Sequence, residues 1–224
     1  MSRLAIFDCD GTLVDSQANI CAAMSECFAD ARLPPPDPAR TRRVVGLSLV
    51  EAMRTLHPEG GESAHLALAE GYKAAFHRLR GRGEVEEPLY EGVTELIDAL
   101  EADGWLLGIA TGKSDRGLAL CLDRHGLAGR FVTLQTADRH PSKPHPSMIE
   151  AALAEAGADA RTSMMIGDTS YDMIMARSAG VTAVGVTWGY HCAEDLLAAG
   201  ADLIAASPSE ITRFGPFSFA KAPA

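Results

Sequence analysis

Leu4-Ala5-Ile6-Phe7 is an apolar run cut off abruptly by Asp8-Cys9-Asp10-Gly11, the form of a buried strand that ends in a polar turn. The same form recurs along the chain. Trp105 to Ala110 stops at Thr111-Gly112, Met164 to Ile166 at Gly167-Asp168, and Thr182 to Val186 at Thr187-Trp188-Gly189. Phe131 to Leu134 and Leu203 to Ala205 complete six expected strands. Helical patterns lie between them: Val93, Leu96, Ile97 and Leu100 fall at i, i+3, i+4 and i+7, one face of a helix. Gly104, Gly126, Gly157, Gly180 and Gly200 each follow such a stretch, where a left-handed residue closes a helix. Repeated strand, helix, glycine units predict an α/β fold, a doubly wound parallel sheet with helices on both faces.

One interval breaks the rhythm. From about Ser16 to about Glu87 no strand is expected, and helices are divided by Pro34-Pro35-Pro36 and by His57-Pro58-Glu59-Gly60-Gly61. The expected organisation is a core of residues 1–15 and 88–224 with a helical insertion over 16–87. The turn after Asp15 and the stretch from Gly81 through Pro88 are its expected hinges. The tail from Phe214 to Ala224 is expected to pack against the core or to fray.

Composition excludes several classes. With 47% apolar and 22% charged residues among 224, the chain can bury a core without staples. A net charge of −10 repels a polyphosphate backbone, so nucleic acid is not an expected partner. The apolar run at the N-terminus is short and broken by Asp8 and Asp10, and no run of 18 apolar residues occurs. Neither a signal peptide nor a membrane span is therefore expected, and a cytoplasmic location is. Five cysteines, scattered and never spaced as CxxC, read as reduced thiols.

The chemistry is expected at strand ends. Asp8 and Asp10 leave the first strand two residues apart with Gly11 behind them, and Asp168 and Asp172 follow the strand ending at Ile166. In a parallel sheet these ends share one edge, the crevice where open α/β sheets bind ligands. Converging carboxylates repel one another, and a hard divalent cation such as Mg²⁺ relieves that repulsion. Asp168 would complete the metal shell and Asp172 support it from behind. Thr111-Gly112 offers a hydroxyl and an amide to a phosphate. Lys143, in a proline-stiffened loop, offers a fixed positive charge. His140 and His145, which flank it, read as loop-stabilising or solvated.

These motifs, in this order, resemble those of the haloacid-dehalogenase-like hydrolase superfamily: Asp8-Cys9-Asp10-Gly11-Thr12-Leu13-Val14-Asp15-Ser16, then Thr111, then Lys143-Pro144, then Gly167-Asp168-Thr169-Ser170-Tyr171-Asp172. The branch resembled includes phosphoglycolate phosphatase and carries an α-helical cap after the first motif. The resemblance implies a Rossmann-like core and a phosphatase acting on a small phosphorylated metabolite, with 2-phosphoglycolate as the first candidate. It implies that Asp8 is the nucleophile that forms an aspartyl-phosphate and that Asp10 is the acid and base. Asp8, the Asp10 carbonyl and Asp168 would hold Mg²⁺. Thr111 and the Gly112 amide would bind phosphoryl oxygens, and Lys143 would stabilise their charge. Gly112 departs from the Asn or Ser common in this branch. Arg42 and Arg43, ahead of Val44-Val45-Gly46, are candidates for a substrate carboxylate.

Alternatives share the core. A phosphosugar mutase resembling β-phosphoglucomutase would return the phosphoryl group to sugar instead of water. A dehalogenase would need neither Asp10 nor Asp168, and a phosphonatase would need a cap lysine, for which Lys73 alone is available. A non-catalytic module that binds a phosphorylated metabolite is the alternative from another class. No residue pattern specifies an oligomeric state.

Overall fold

The computed structural model describes residues 2–213; the tail from Phe214 onward lies outside the described residues. Six strands form one parallel sheet: β1 (Arg3–Phe7), β2 (Trp105–Thr111), β3 (Thr133–Thr136), β4 (Met164–Gly167), β5 (Thr182–Val186) and β6 (Leu203–Ala205), in the order β3-β2-β1-β4-β5-β6. Five of them fall where the apolar runs predict. The third lies two residues beyond Phe131–Leu134, because Phe131 turns inward ahead of the strand and meets the Phe7 ring edge-on at 6.3 Å.

Alternation along β1 divides the core. Ala5 and Phe7 face α5 (Val93–Ala102) and α6 (Asp115–Arg124), whereas Leu4 and Ile6 face α7 (Ser147–Ala156), α8 (Ser170–Ala179) and α9 (Ala193–Ala198). Val93, Leu96, Ile97 and Leu100 are all buried, as their spacing requires. The five helix-closing glycines named above all have positive φ, between 60° and 97°.

Between β1 and α5 the chain forms α1 (Gln17–Asp30), α2 (Pro38–Arg43), α3 (Leu49–Leu56) and α4 (Glu62–Gly81). They bury a cluster of their own, including Met24, Phe28, Met53, Leu68 and Leu79, separate from the two layers on the sheet. No described helix is long and apolar enough to cross a membrane.

The strand order sets the position of the site. The chain winds outward from β1 through β2 to β3, then returns to place β4 on the other side of β1. Phe7 is in register with Ile166, so Asp8 and Gly167-Asp168 leave adjacent strands at the point where the winding reverses.

Candidate active site

Asp8 is buried at the end of β1, its amide donating to the Ile166 carbonyl at 2.9 Å. Its Oδ1 accepts from the Cys9 amide at 2.7 Å. Its Oδ2 lies 3.0 Å from Lys143 Nζ and takes no well-directed hydrogen bond. Burial pushes the Asp8 carboxyl up to about 7; Lys143 pulls it down, while Asp172 and Asp10 raise it further. Asp168 is also buried, accepting from Thr12 Oγ1 at 2.8 Å and from the Tyr190 amide at 2.9 Å. Burial and then the Asp8 charge raise it well above the usual carboxylate range.

Glycines make this crowding possible. A Cβ on Gly11 or Gly189 would collide with the Asp168 side chain, and Gly11 also has φ +85°. Only a bare backbone lets the two loops close on one carboxylate.

Asp172 has both oxygens occupied. Oδ1 accepts from Lys143 Nζ at 2.7 Å, and Oδ2 accepts from the Thr169 amide at 3.0 Å and its hydroxyl at 2.7 Å, a capping box that opens α8. Lys143 is therefore gripped between two carboxylates, with 1% of its surface exposed. Burial draws its ammonium down, but Asp172 and Asp8 outweigh this and raise it.

Ligand oxygens of Asp8, Asp168 and Asp172 lie within 4.8 Å of one another. Three buried carboxylates converge here, one ammonium contacts two of them, Asp8 and Asp172, and Asp8 Oδ2 still lacks a directed donor. That donor set fits a hard divalent cation, for which carboxylate oxygens are the preferred ligands.

Thr111 and Gly112 leave β2 beside Asp8 and Asp10, and all four line a cavity of about 380 Å³. Gly112 has a reason to be glycine: a Cβ there would lie 2.7 Å from the Gly46 carbonyl oxygen and 2.8 Å from that of Leu47. The loop between α2 and α3 thus rests on the β2–α6 turn, and nearby the Ser48 amide donates to Ser142 Oγ at 2.8 Å. Gly112→Ala is expected to part these loops. Amide hydrogen exchange over residues 44–48 should speed up at least severalfold in the folded variant, and unchanged exchange would show that this approach does not hold the loop.

Arg42 and Arg43 are not brought to the cavity. Thr41, Val44 and Val45 line it, whereas residues 42 and 43 between them do not. The Arg43 side chain is 75% exposed and lies 3.9 Å from Asp195. His140 stabilises its loop, bonding Ser147 Oγ and Gln135 Oε1 at 2.8 Å each.

Three neighbours of Asp10 were not singled out by sequence. Lys113 Nζ donates to Asp10 Oδ1 at 2.5 Å and to Glu87 Oε1 at 2.8 Å, and Ser16 Oγ donates to the same Asp10 oxygen at 2.5 Å. Burial acts to lower the Lys113 ammonium, and the surrounding negative groups, Asp10 foremost, hold it well above its usual value. The third, Tyr190, lies 3.1 Å through its hydroxyl from Ser16 Oγ. The available signals were the Lys two residues after Thr111 and a Glu beside the linker proline.

A family model described as haloacid dehalogenase-like hydrolase matches residues 5–186. The probable phosphatase IndB of Dickeya dadantii is 35% identical over 213 residues, covering 94% of this chain and 92% of its own. A phosphoglycolate phosphatase of Agrobacterium fabrum is 31% identical over 192 residues, covering 85% of this chain and 82% of its own. Among solved structures, one described as a predicted phosphatase from Clostridium acetobutylicum superposes with a TM-score of 0.85 at 26% identity, covering 95% of this chain and 97% of that one. The motifs at the strand ends, the parallel sheet and these likenesses agree: the chain belongs to the haloacid dehalogenase-like hydrolase family.

Proposed function

We propose that this hydrolase is a Mg²⁺-dependent phosphatase that cleaves a small phosphorylated metabolite through an aspartyl-phosphate on Asp8. The observation that carries the proposal is Asp8 itself, buried at the switch point beside Asp168 and Lys143 and lining the cavity with Asp10. Asp8, the Asp10 carbonyl and Asp168 would hold the cation. When bound, it supplies positive charge that relieves the carboxylate repulsion and polarises the phosphoryl group.

The rest belongs to the chain. An Asp8 oxygen attacks phosphorus as the bond to the leaving oxygen breaks, and Asp10 gives that oxygen its proton. Water then attacks the aspartyl-phosphate and gives its proton to Asp10, phosphate departs and Asp8 is restored. Asp10 keeps an oxygen for this work, since both its side-chain partners, Ser16 and Lys113, converge on Oδ1. Thr111 and the Gly112 amide would receive phosphoryl oxygens, and Lys143 would balance their charge. Residues 16–87 would act as a cap that opens at its two linkers to admit substrate and closes to exclude water.

Two relatives' features bear on substrate: the name phosphoglycolate phosphatase, and coverage of most of both chains. This makes 2-phosphoglycolate the reference compound. Phosphate release from a panel of phosphomonoesters, with and without Mg²⁺, tests the reaction; metal-independent release or none would overturn it.

Metal binding has a readout apart from turnover. At about 100 times its Kd, Mg²⁺ should add ~2.7 kcal/mol of stability, several degrees in Tm for a chain of this size. Asp168→Asn should lose most of that rise. An equal Tm shift in the variant would remove Asp168 from the ligand set.

A further inference from the structure

Resting on the phosphatase reading, we infer that the substrate's leaving group is an uncharged, largely apolar body several carbons long, not a two-carbon carboxylate. The cavity above Asp8 and Asp10 measures about 380 Å³. That is within the ~300–1,000 Å³ of pockets that enclose ligands much larger than a phosphorylated two-carbon acid. Beyond the carboxylates its apolar wall is Ile20, Met24, Val45, Leu47, Tyr72 and Phe76, and its basic groups, the exposed His77 among them, lie on α4 and α6 or the turn before α6. Ile20, Met24 and Val45 are buried, and the Tyr72 and Phe76 rings lie 5.9 Å apart on α4.

Charge accounting points the same way. A substrate carboxylate needs a cation whose charge is not already used. Lys113 is held by Asp10 and Glu87, and Arg80 by Glu87 at 3.2 Å. Lys73 is half-exposed and turned to Glu70 at 2.8 Å, on the solvent side of α4. Arg116 is the one lysine or arginine of the lining without a carboxylate partner among the described residues, and it sits exposed at the rim. Arg42 and Arg43 are not in the lining. A carboxylate two carbons from phosphorus would meet, among the buried groups, only paired cations and hydrocarbon, since Arg116, Lys73 and His77 are solvent-exposed, whereas an alkyl or aryl group would meet surface that gains from its burial.

Ethyl, butyl and hexyl phosphate isolate this effect, because their leaving alcohols are chemically alike and differ in buried length. With Mg²⁺ present, kcat/KM for phosphate release is expected to rise about fourfold per methylene, the ~0.8 kcal/mol of burying one CH₂. 2-Phosphoglycolate should not exceed ethyl phosphate by more than a fewfold. Ala52 lines the same wall from α3, so Ala52→Met should fill part of the space and shrink the hexyl-to-ethyl ratio by roughly fifteenfold, about two methylenes. The wild-type series decides the matter whether or not that variant folds.

A flat alkyl series, or 2-phosphoglycolate exceeding hexyl phosphate tenfold, would overturn the inference and leave the phosphatase standing. Release from no ester by folded, Mg²⁺-loaded protein would instead overturn the phosphatase reading on which it rests.

Discussion

Asp8→Asn is expected to lower turnover by roughly four orders of magnitude while the protein stays folded. The size follows from the role proposed for Asp8, since a nucleophile acts as one unit with its neighbours and a single loss costs nearly as much as losing the set. Folding survives because the amide oxygen can still accept from the Cys9 amide, and Lys143 retains Asp172 at 2.7 Å. A second readout separates this from general damage. The folded-state pKa of Asp8, about 7, lies above its ordinary 3.8, so the folded protein holds that proton more tightly than the unfolded chain. The resulting stability is complete below about pH 4 and is lost as pH rises through about 7. Asparagine stays neutral throughout. In chelator, Tm of the variant should therefore fall less than that of wild type between pH 4 and 7. Turnover within tenfold of wild type would remove Asp8 from the nucleophile's position, and parallel Tm profiles would mean that Asp8 ionises in the fold without cost.

Much of this site was legible because a parallel sheet is a sorting device. Once Leu4–Phe7 and Met164–Ile166 are recognised as strands of one sheet, Asp8 and Asp168 share an edge, and the register of Phe7 with Ile166 makes them neighbours. What local sequence does not carry is the return path of the insertion. Glu87 reaches Lys113 across 26 residues because the linker after α4 comes back over the mouth of β2, and Lys113 meets Asp10 across 103. The loop after β5 is similar: Tyr190 closes on Asp168 across 22 residues, a contact that glycines at 11 and 189 permit but do not announce. Arg42 and Arg43 illustrate a different limit. Their basic character was plain, yet their direction depends on the phase of a six-residue helix whose inward face is set by Thr41. The third strand departs from its apolar run for a related reason. Phe131 and Val132 are the apolar pair, but Phe131 serves as a plug against Phe7 and the pairing falls to Thr133–Thr136.

Lys143→Met should produce the largest loss of stability of any single change at the site. The ammonium is fully enclosed and is the shared partner of Asp8 and Asp172. Removing one member of a buried ionic cluster leaves the others uncompensated, a cost of about 3–5 kcal/mol. A methionine fills much of the same volume, so the loss reports charge more than cavity. The pH dependence follows. Lys143 lowers the Asp8 carboxyl against the upward push of burial, so without it Asp8 takes up a proton at a higher pH still. A neutral Asp8 no longer needs the missing cation. The destabilisation should thus be smaller at pH 5 than at pH 8. Mg²⁺ should restore part of the Tm at pH 8, because Asp8 and Asp168, which would hold it, would then have a positive charge beside them. It should not restore turnover, which is expected to stay about 10²–10³ below wild type when the charge proposed to balance the phosphoryl oxygens is gone. That split distinguishes a charge acting on the reacting group from one that only supports the fold. If Mg²⁺ recovered Tm and turnover together, Lys143 would be a structural counter-ion, and Thr111 and the Gly112 amide would be left to balance the phosphoryl charge.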